Sequence, residues 1–338
     1  RNTSLGVEVV LSTLEPKDFI FQLEGALPAI ASLDSIESSV CSLSVEQTEF
    51  EIKPSLSGEV NDTIIPPDGN VCSDCLQDIF NPASKYYLYP FTSCINCGPR
   101  YTVINNLPYD RITTTFEKFN LCRSCHTEYI DPSNRRYHAQ TTSCINCGPL
   151  FNHSLSEVVL ALKSGKIVAL KGTGGYVLLV DATNNTAVQT LRKRKNRPDK
   201  PFAVMALNTI SISSNFADVS IHERALLEAT ATPIVLLSRK YNSNIADLVA
   251  PQINTLGFML PNSPVFYILF YLLLGSPEGS TWLTQANDLA LIVTSANVHL
   301  SLQKQKKPSF IAVLGDSKHI FCTFATLRHP NLDAKLHI

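Results

Sequence analysis

The chain has 338 residues, 44% of them hydrophobic, with 28 lysines and arginines against 29 aspartates and glutamates. A net charge of −1 argues against a general nucleic-acid coat, and the longest apolar run, residues 265–274, is about half the ~20 residues that a membrane span requires. The length allows substantial buried cores spread over two or three domains.

Period-two alternation around residues 7–11 and 36–43 predicts strands, residues 16–27 a helix, and residues 49–53 a further extended stretch. Residues 58–70 form a Pro/Gly-containing connector. Eight of the ten cysteines then fall into two quartets: Cys72, Cys75, Cys94 and Cys97, followed by Cys122, Cys125, Cys144 and Cys147. Each quartet reads C-x2-C-x18-C-x2-C, and the word Ser-Cys-Ile-Asn-Cys-Gly-Pro recurs from Ser93 and from Ser143. One small unit has been duplicated in tandem. Two residues between cysteines let a single turn aim both sulfurs at one ion, so each quartet predicts a structural tetrahedral Zn2+.

Because all four positions are thiolates, no coordination position is left for water or substrate, which points to scaffolding rather than metal-assisted hydrolysis. The other readings are a disulfide framework, which lacks a secretory signal to go with it, and an iron–sulfur site. With few apolar residues per unit, folding of this module is expected to depend on metal. His126 and His138 are surplus to two complete sites, and Cys41 and Cys322 are expected to be small buried hydrophobes.

From about residue 155 helices and strands alternate. Ser156 can cap a helix through Lys163 that Gly165 closes, and residues 167–170 and 176–180 read as strands. Asn184 or Asn185 can cap a helix running to Arg197 and stopped by Pro198. Strands follow at 202–205, 233–237, 258–260 and 289–294, with a buried helix at 265–274. This is a mixed α/β domain with a twisted sheet.

Three places in it concentrate polar chemistry. Lys171-Gly172-Thr173-Gly174-Gly175-Tyr176 follows a strand; its glycines would allow main-chain N–H groups to approach an anion, although the spacing is neither a Walker loop nor a dinucleotide fingerprint. Residues 192–200 hold six basic residues, more than helix C-capping needs in a near-neutral protein, and point to a triphosphate or polynucleotide. Thr294, Ser295 and Asn297 follow an apolar strand, where open α/β sheets bind ligands.

Taken together these residues resemble one family. The repeat with Tyr89-Pro90-Phe91, Cys97-Gly98-Pro99-Arg100-Tyr101, Leu107-Pro108-Tyr109-Asp110-Arg111 and Tyr137-His138-Ala139-Gln140 looks like HypF, the carbamoyltransferases of [NiFe]-hydrogenase maturation. The region after it is similar to their YrdC-like domain through Lys171-Gly172, Asp181-Ala182-Thr183, Arg197-Pro198-Asp199-Lys200-Pro201-Phe202 and Thr294-Ser295-Ala296-Asn297. Arg1-Asn2 and Gly6-Val7-Glu8-Val9 resemble the catalytic-Asn turn of an acylphosphatase. The implied domains are 1–57, the C-terminal half of a ferredoxin-like acylphosphatase unit; 58–150, the tandem four-cysteine zinc module; and 151–338, a YrdC-like nucleotide-binding domain. Lacking the phosphate-cradling first loop, the acylphosphatase part is expected to be inert, and no counterpart of the family's C-terminal transferase domain is found.

The resemblance implies carbamoyl chemistry. Carbamate derived from carbamoyl phosphate would be joined to ATP as carbamoyl-adenylate, for transfer to the C-terminal Cys of the partner HypE and on to the cyanide ligands of the hydrogenase iron. Lys195 and Arg197 would be catalytic and, with Lys200, would clamp phosphates alongside Mg2+. Thr294, Ser295 and Asn297 would hold the nucleotide, and Lys171, Gly172 and Tyr176 the carbamoyl end. A cytoplasmic, membrane-free enzyme is expected. Three departures point to reduced activity: Val298-His299-Leu300-Ser301-Leu302 replaces the usual Leu-Ser-Gly-Glu-Pro, Val265-Phe266-Tyr267 follows Pro261-Asn262-Ser263-Pro264 where the family tends to show paired histidines after Pro-x-Thr-Pro, and residues 325–338 match poorly. The alternatives are a threonylcarbamoyl-adenylate synthase acting toward tRNA, a zinc protein binding nucleic acid through residues 192–200, and a silent scaffold.

Overall fold

A computed structural model describes residues 67–296 without a break, together with residues 2–3, 6–11, 15–27, 33, 35–41, 320–322 and 324–325. Near the N-terminus β1 (Asn2–Thr3) pairs antiparallel with β2 (Gly6–Val7), and α1 (Pro16–Ala26) starts on a proline, whose fixed φ suits a first turn. The alternation at 7–11 yields only the two-residue β2, and residues 35–41 form no strand. Alternation supplies a face, but a strand exists only where a neighbour completes its hydrogen bonds. The stretch at 49–53 lies outside the described residues. Cys41 is exposed, not buried as its isolation in sequence suggested.

The two cysteine units are built alike. Cys72 and Cys122 are the N-caps of short helices, α2 (Ser73–Phe80) and α3 (Arg123–Ile130), which place Cys75 and Cys125 in the first turn. In both units the chain then passes through a left-handed residue, Leu88 (φ 50°) and His138 (φ 49°), whose N–H donates to Ile79 and Tyr129 at the end of the helix. The units face each other in a reciprocal way. Lys85 pairs with Glu128 at 3.0 Å, and the positions fifty residues away, Arg135 and Asp78, pair in return. Arg136 reaches Asp78 at 2.5 Å and lies 3.8 Å above the ring of Tyr86, its own counterpart in the repeat.

Close packing seals this interface. Ser93 and Thr141 hydroxyls lie 3.0 Å apart, and the buried Tyr89 hydroxyl meets Ser143 at 3.1 Å. A Cβ on Gly148 would stand 1.9 Å from the Tyr89 oxygen and 2.4 Å from that of Ser143. Gly148→Ala is therefore expected to destabilise the module by about 1–3 kcal/mol, the usual cost of overpacking, measured as a lower urea midpoint. Gly25→Ala, where nothing lies within 4 Å of the added carbon, is the control.

The α/β region comprises β3 (Leu150–Phe151), α4 (Leu155–Lys163), β4 (Val168–Gly172), β5 (Gly175–Asp181), α5 (Asn185–Lys195), β6 (Ala203–Ala206), α6 (Thr209–Ser211), α7 (Ile221–Leu227), β7 (Val235–Ser238), β8 (Thr255–Met259), α8 (Pro264–Leu273), β9 (Ala290–Ser295), β10 (Ile320–Cys322) and β11 (Phe324–Ala325). Seven strands form one mixed sheet in the order β10-β4-β5-β9-β6-β8-β7, parallel at β10–β4 and β6–β8 and antiparallel elsewhere. Successive side chains go to opposite faces. Ala169, Leu178, Val180, Val204 and Ile292 pack with Ala187, Val188 and Leu191 of α5. On the other face Val168, Leu170, Leu179, Met205 and Leu291 pack with Val158 and Leu162 of α4 and Phe266, Leu269 and Phe270 of α8. Each of these side chains larger than alanine contributes roughly 1.5–3 kcal/mol on burial.

Two helix ends lie two residues from where the sequence placed them, while the start of α5 falls on an expected cap. Ser154, not Ser156, caps α4, in a capping box with Glu157. Asn184 caps α5, which stops at Lys195 because Asn196 takes a left-handed conformation (φ 46°), before Pro198 can act. The first cysteine unit shares a core with the α/β region. Ile268 of α8 packs with Val71, Cys75, Ile79, Cys94 and Cys97, and Phe80 meets Trp282 edge-on at 4.8 Å.

Candidate metal centres and active site

The eight cysteines of the repeat gather into two groups of four, with sulfurs within 4.8 Å of one another inside each group. Cys72 and Cys94 sulfurs are 3.6 Å apart, Cys94 and Cys97 3.7 Å, and both Cys122–Cys144 and Cys144–Cys147 3.8 Å. A disulfide needs about 2.05 Å, whereas four thiolates at ~2.3 Å around tetrahedral zinc stand ~3.8 Å apart. The donor set and its spacing fit zinc. Without a cation the four thiols work against each other: hydrogen bonding with Cys75 drives Cys72 down while Cys75 is driven up, and hydrogen bonding with Cys125 lowers Cys147 to about 4 while Cys125 is driven up. A bound dication would let all four ionise together.

Two arginines hold the second knuckles. Arg100 donates to the carbonyls of Cys94, Ile95, Cys97 and Pro99, and Arg111 to those of Phe119, Gln140 and Thr142. Arg100 lies 5.7 Å from the Tyr109 ring and Arg111 5.8 Å from that of Phe116. Their sequence signal is their place in the motifs Cys97-Gly98-Pro99-Arg100-Tyr101 and Leu107-Pro108-Tyr109-Asp110-Arg111. His138 packs against the rings of Tyr129 and Tyr137.

The second site lies where β4 and β9 end and β5 begins, beside the C-terminus of α5. Lys171 pairs in register with Tyr176, its ammonium 5.5 Å from that ring, and the Ala296 N–H donates to the Tyr176 carbonyl at 3.0 Å. Lys195 donates to the Ser295 carbonyl at 2.6 Å, and Arg197 approaches the Thr294 hydroxyl at 3.5 Å. Thus Lys171, Tyr176, Lys195, Arg197, Thr294 and Ser295 come together at one end of the sheet. Gly172 closes the β4–β5 hairpin opposite Gly175, whose φ of 136° suits glycine. The hairpin tip rests on the first cysteine unit, since a Cβ at Gly174 would lie 3.3 Å from Thr102. Asn297 lies outside the described residues.

The basic run at 192–200 divides by burial. Arg192 and Lys195 are buried, Arg194 and Arg197 partly so, while Lys193 and Lys200 are exposed. Burial, reinforced by the Arg197 charge, lowers Lys195 to about 8. Burial likewise lowers Lys171 and Arg197. Partly desolvated cations that repel one another form a cradle whose strain an anion would relieve. A cleft lined by Asp68, Pro99, Phe116, Lys171, Thr173 and Asn262 runs between the hairpin and the first cysteine unit. Among the described residues no helix is long and apolar enough to cross a membrane.

Two family models match separate parts of the chain. Residues 71–104 and 121–152 match the family described as HypF finger, and residues 160–313 the Sua5/YciO/YrdC family described as Telomere recombination. The chain is 44% identical over 314 residues to carbamoyltransferase HypF2 of Cupriavidus necator, covering 88% of this chain and 39% of that protein. It is 44% identical over 285 residues to carbamoyltransferase HypF of Synechocystis sp., covering 80% and 37%. A crystal structure of full-length HypF in a phosphate- and nucleotide-bound form superimposes with a TM-score of 0.79 at 34% identity, over 90% of this chain and 39% of the other. That of T. kodakarensis HypF gives 0.77 at 35%, over 94% and 40%. The chain thus spans about two-fifths of the length of these relatives. With paired four-cysteine units, a mixed sheet and matches to both family models in one order, the chain belongs to the HypF carbamoyltransferase family.

Proposed function

We propose that this chain carries the carbamate-activating step of a HypF-type carbamoyltransferase. Carbamate oxygen attacks the α-phosphorus of ATP, supplied as its Mg2+ complex; the bond to the β-phosphate oxygen breaks and pyrophosphate leaves, giving carbamoyl-adenylate. The observation that supports this most is the gathering of Lys195, Arg197 and Lys171 around the end of β9, in a family whose full-length member has been crystallised with nucleotide and phosphate. Little covalent help is needed from the protein in such a transfer. Positive charge on the departing phosphates and alignment of the carbamate supply the catalysis.

In this reading Lys195 and Arg197 meet the phosphates, Lys200 adds charge at the rim, Thr294, Ser295 and Asn297 hold the nucleoside, and Lys171, Gly172 and Tyr176 face the carbamate. Two Zn2+ ions, held by Cys72, Cys75, Cys94 and Cys97 and by Cys122, Cys125, Cys144 and Cys147, order the module on which the Lys171 hairpin rests. Residues 1–57 correspond to the C-terminal half of an acylphosphatase-like domain, 58–150 to the zinc module and 151–338 to the YrdC-like domain. The carbamoyl group made here is destined for the terminal Cys thiolate of HypE, in cytoplasmic hydrogenase maturation.

ATP–pyrophosphate exchange tests the proposal, with carbamate and carbamoyl phosphate supplied in separate reactions. Exchange with carbamate alone is expected, and a requirement for threonine would transfer the assignment to threonylcarbamoyl-adenylate chemistry. The pH dependence has a defined sign. Below about 8 Lys195 is protonated and ready for phosphate; above it a proton must be taken up on binding. ATP affinity is therefore expected to fall from pH 8 upward, by up to about tenfold per unit. The unliganded fold should gain stability over the same range, because its depressed lysine sheds an unfavourable buried charge between pH 8 and the ordinary lysine value. Isothermal titration and melting curves from pH 7 to 10 measure both.

A further inference from the structure

We infer that Arg192 is the positioning residue of the phosphate clamp, the group that holds Arg197 and Lys200 where a triphosphate needs them. This rests on the nucleotide-binding reading above. Arg192 is 6% exposed, in the last turn of α5, three residues before Lys195. Its guanidinium donates to five main-chain carbonyls drawn from two loops. Nη1 reaches Arg197 at 2.8 Å, Pro198 at 3.0 Å and Lys200 at 3.3 Å; Nη2 reaches Val249 at 3.1 Å; and Nε donates to Leu248.

A planar guanidinium is the one side chain that can do this, since it offers five N–H donors in a rigid fork and stacks by its face. Its carbon lies 4.6 Å from the Phe202 ring, which Arg197 shares at 4.7 Å. Arg197 in turn donates from Nε to the Lys200 carbonyl at 3.1 Å and from Nη2 to Pro201. The loop from Arg197 to Pro201 is thus wound around two guanidiniums on one aromatic ring, with the Lys200 carbonyl accepting from both. Arg192 faces inward, its guanidinium taken up by main-chain carbonyls. Its consequence is that Arg197 has a fixed starting point for reaching the Thr294 hydroxyl, and that the loop carbonyls turn toward Arg192 rather than toward an approaching phosphate.

Comparing adenosine with ATP separates positioning from scaffolding, because adenosine lacks the phosphates that the clamp holds. In the zinc-loaded chain, Arg192→Lys keeps the charge but loses the fork and the stacking. ATP affinity is expected to drop about tenfold, the loss of one charge-assisted hydrogen bond, while adenosine affinity stays within about twofold. The KM for ATP in pyrophosphate exchange should rise by the same factor, and guanidinium ion added to Arg192→Ala should restore part of the lost affinity. Equal loss for both ligands, or no loss for either, overturns the inference. If Arg192→Lys does not fold, Phe202→Leu, which removes the shared ring and leaves every charge, must show the same ATP-selective loss or the inference fails. A wild-type chain that binds ATP no better than adenosine overturns the nucleotide reading itself.

Discussion

Removing the metal with a chelator is expected to unfold the cysteine module and to shift the fluorescence of Trp282, a residue that lies outside it. Structural zinc contributes an apparent ~10–16 kcal/mol per site in small cysteine modules, as much as the whole stability of a typical domain. Here the apolar part of each unit is small, and sulfurs form much of it: Cys75, Cys94 and Cys97 with Val71 and Ile79 in the first unit, and Cys125, Cys144 and Cys147 with Tyr86 and Tyr89 around the second. Loss of the ion would leave four converging thiols whose ionisations conflict.

The two sites should differ in how far the damage travels. Trp282 is the single tryptophan and packs edge-on to Phe80 of α2, while Ile268 of α8 is part of the first unit's own core. Cys75→Ser should therefore red-shift the emission and lower the melting temperature of the α/β region. Cys125→Ser should do less to Trp282, since the second unit reaches it through the contacts between units, such as those of Asp78 with Arg135 and Arg136 and of Lys85 with Glu128. Zinc content by elemental analysis, followed in parallel, should fall from two per chain toward one in each variant. Unchanged emission after complete metal removal, or a folded chain holding far less than two zinc ions, would contradict this account.

The second large effect is expected at the clamp. Lys195→Ala and Arg197→Ala should each reduce ATP–pyrophosphate exchange by about 10- to 150-fold, corresponding to the ~1.5–3 kcal/mol of a hydrogen bond to a charged group. Lys195→Ala also removes the donor to the Ser295 carbonyl, so part of its loss will come from displaced β9. Arg197→Lys should recover little, since an ammonium cannot both stack on Phe202 and donate to the Lys200 and Pro201 carbonyls. Lys193→Ala, on an exposed residue of the same basic run, should leave exchange within about twofold, as surface substitutions usually do. Exchange unaffected by either clamp substitution would place the phosphates elsewhere.

Burial explains why that basic run was only half legible. Six cations in nine positions read as one electrostatic feature, yet the fold uses them in three ways. Arg192 ties loops together, Lys195 and Arg197 stand beside the β9 end, and Lys193 and Lys200 remain at the surface. Helical spacing hinted at the division, because Arg192 and Lys195 share a face of α5, but not that this face meets carbonyls of Leu248 and Val249, more than fifty residues away. The glycines after Lys171 were likewise ambiguous. Two of them serve a tight hairpin and its contact with Thr102, a role that depends on a distant segment.

The metal units were legible almost completely, since ligand chemistry acts over short spacings: four thiolates in C-x2-C pairs suit one ion whatever surrounds them, and a fifty-residue repeat implies two such units. Alternation and capping signals also located most strands and helices of the α/β region, because they reflect local backbone geometry and a single buried face. Tertiary structure alone decided the rest. It set the pairing of the units through Asp78, Glu128, Lys85 and Arg135, the seating of the first unit on α8, and the meeting of β4, β9 and the end of α5. Such contacts join residues far apart in the chain, and their energies depend on burial and mutual orientation, which no local pattern of residues encodes.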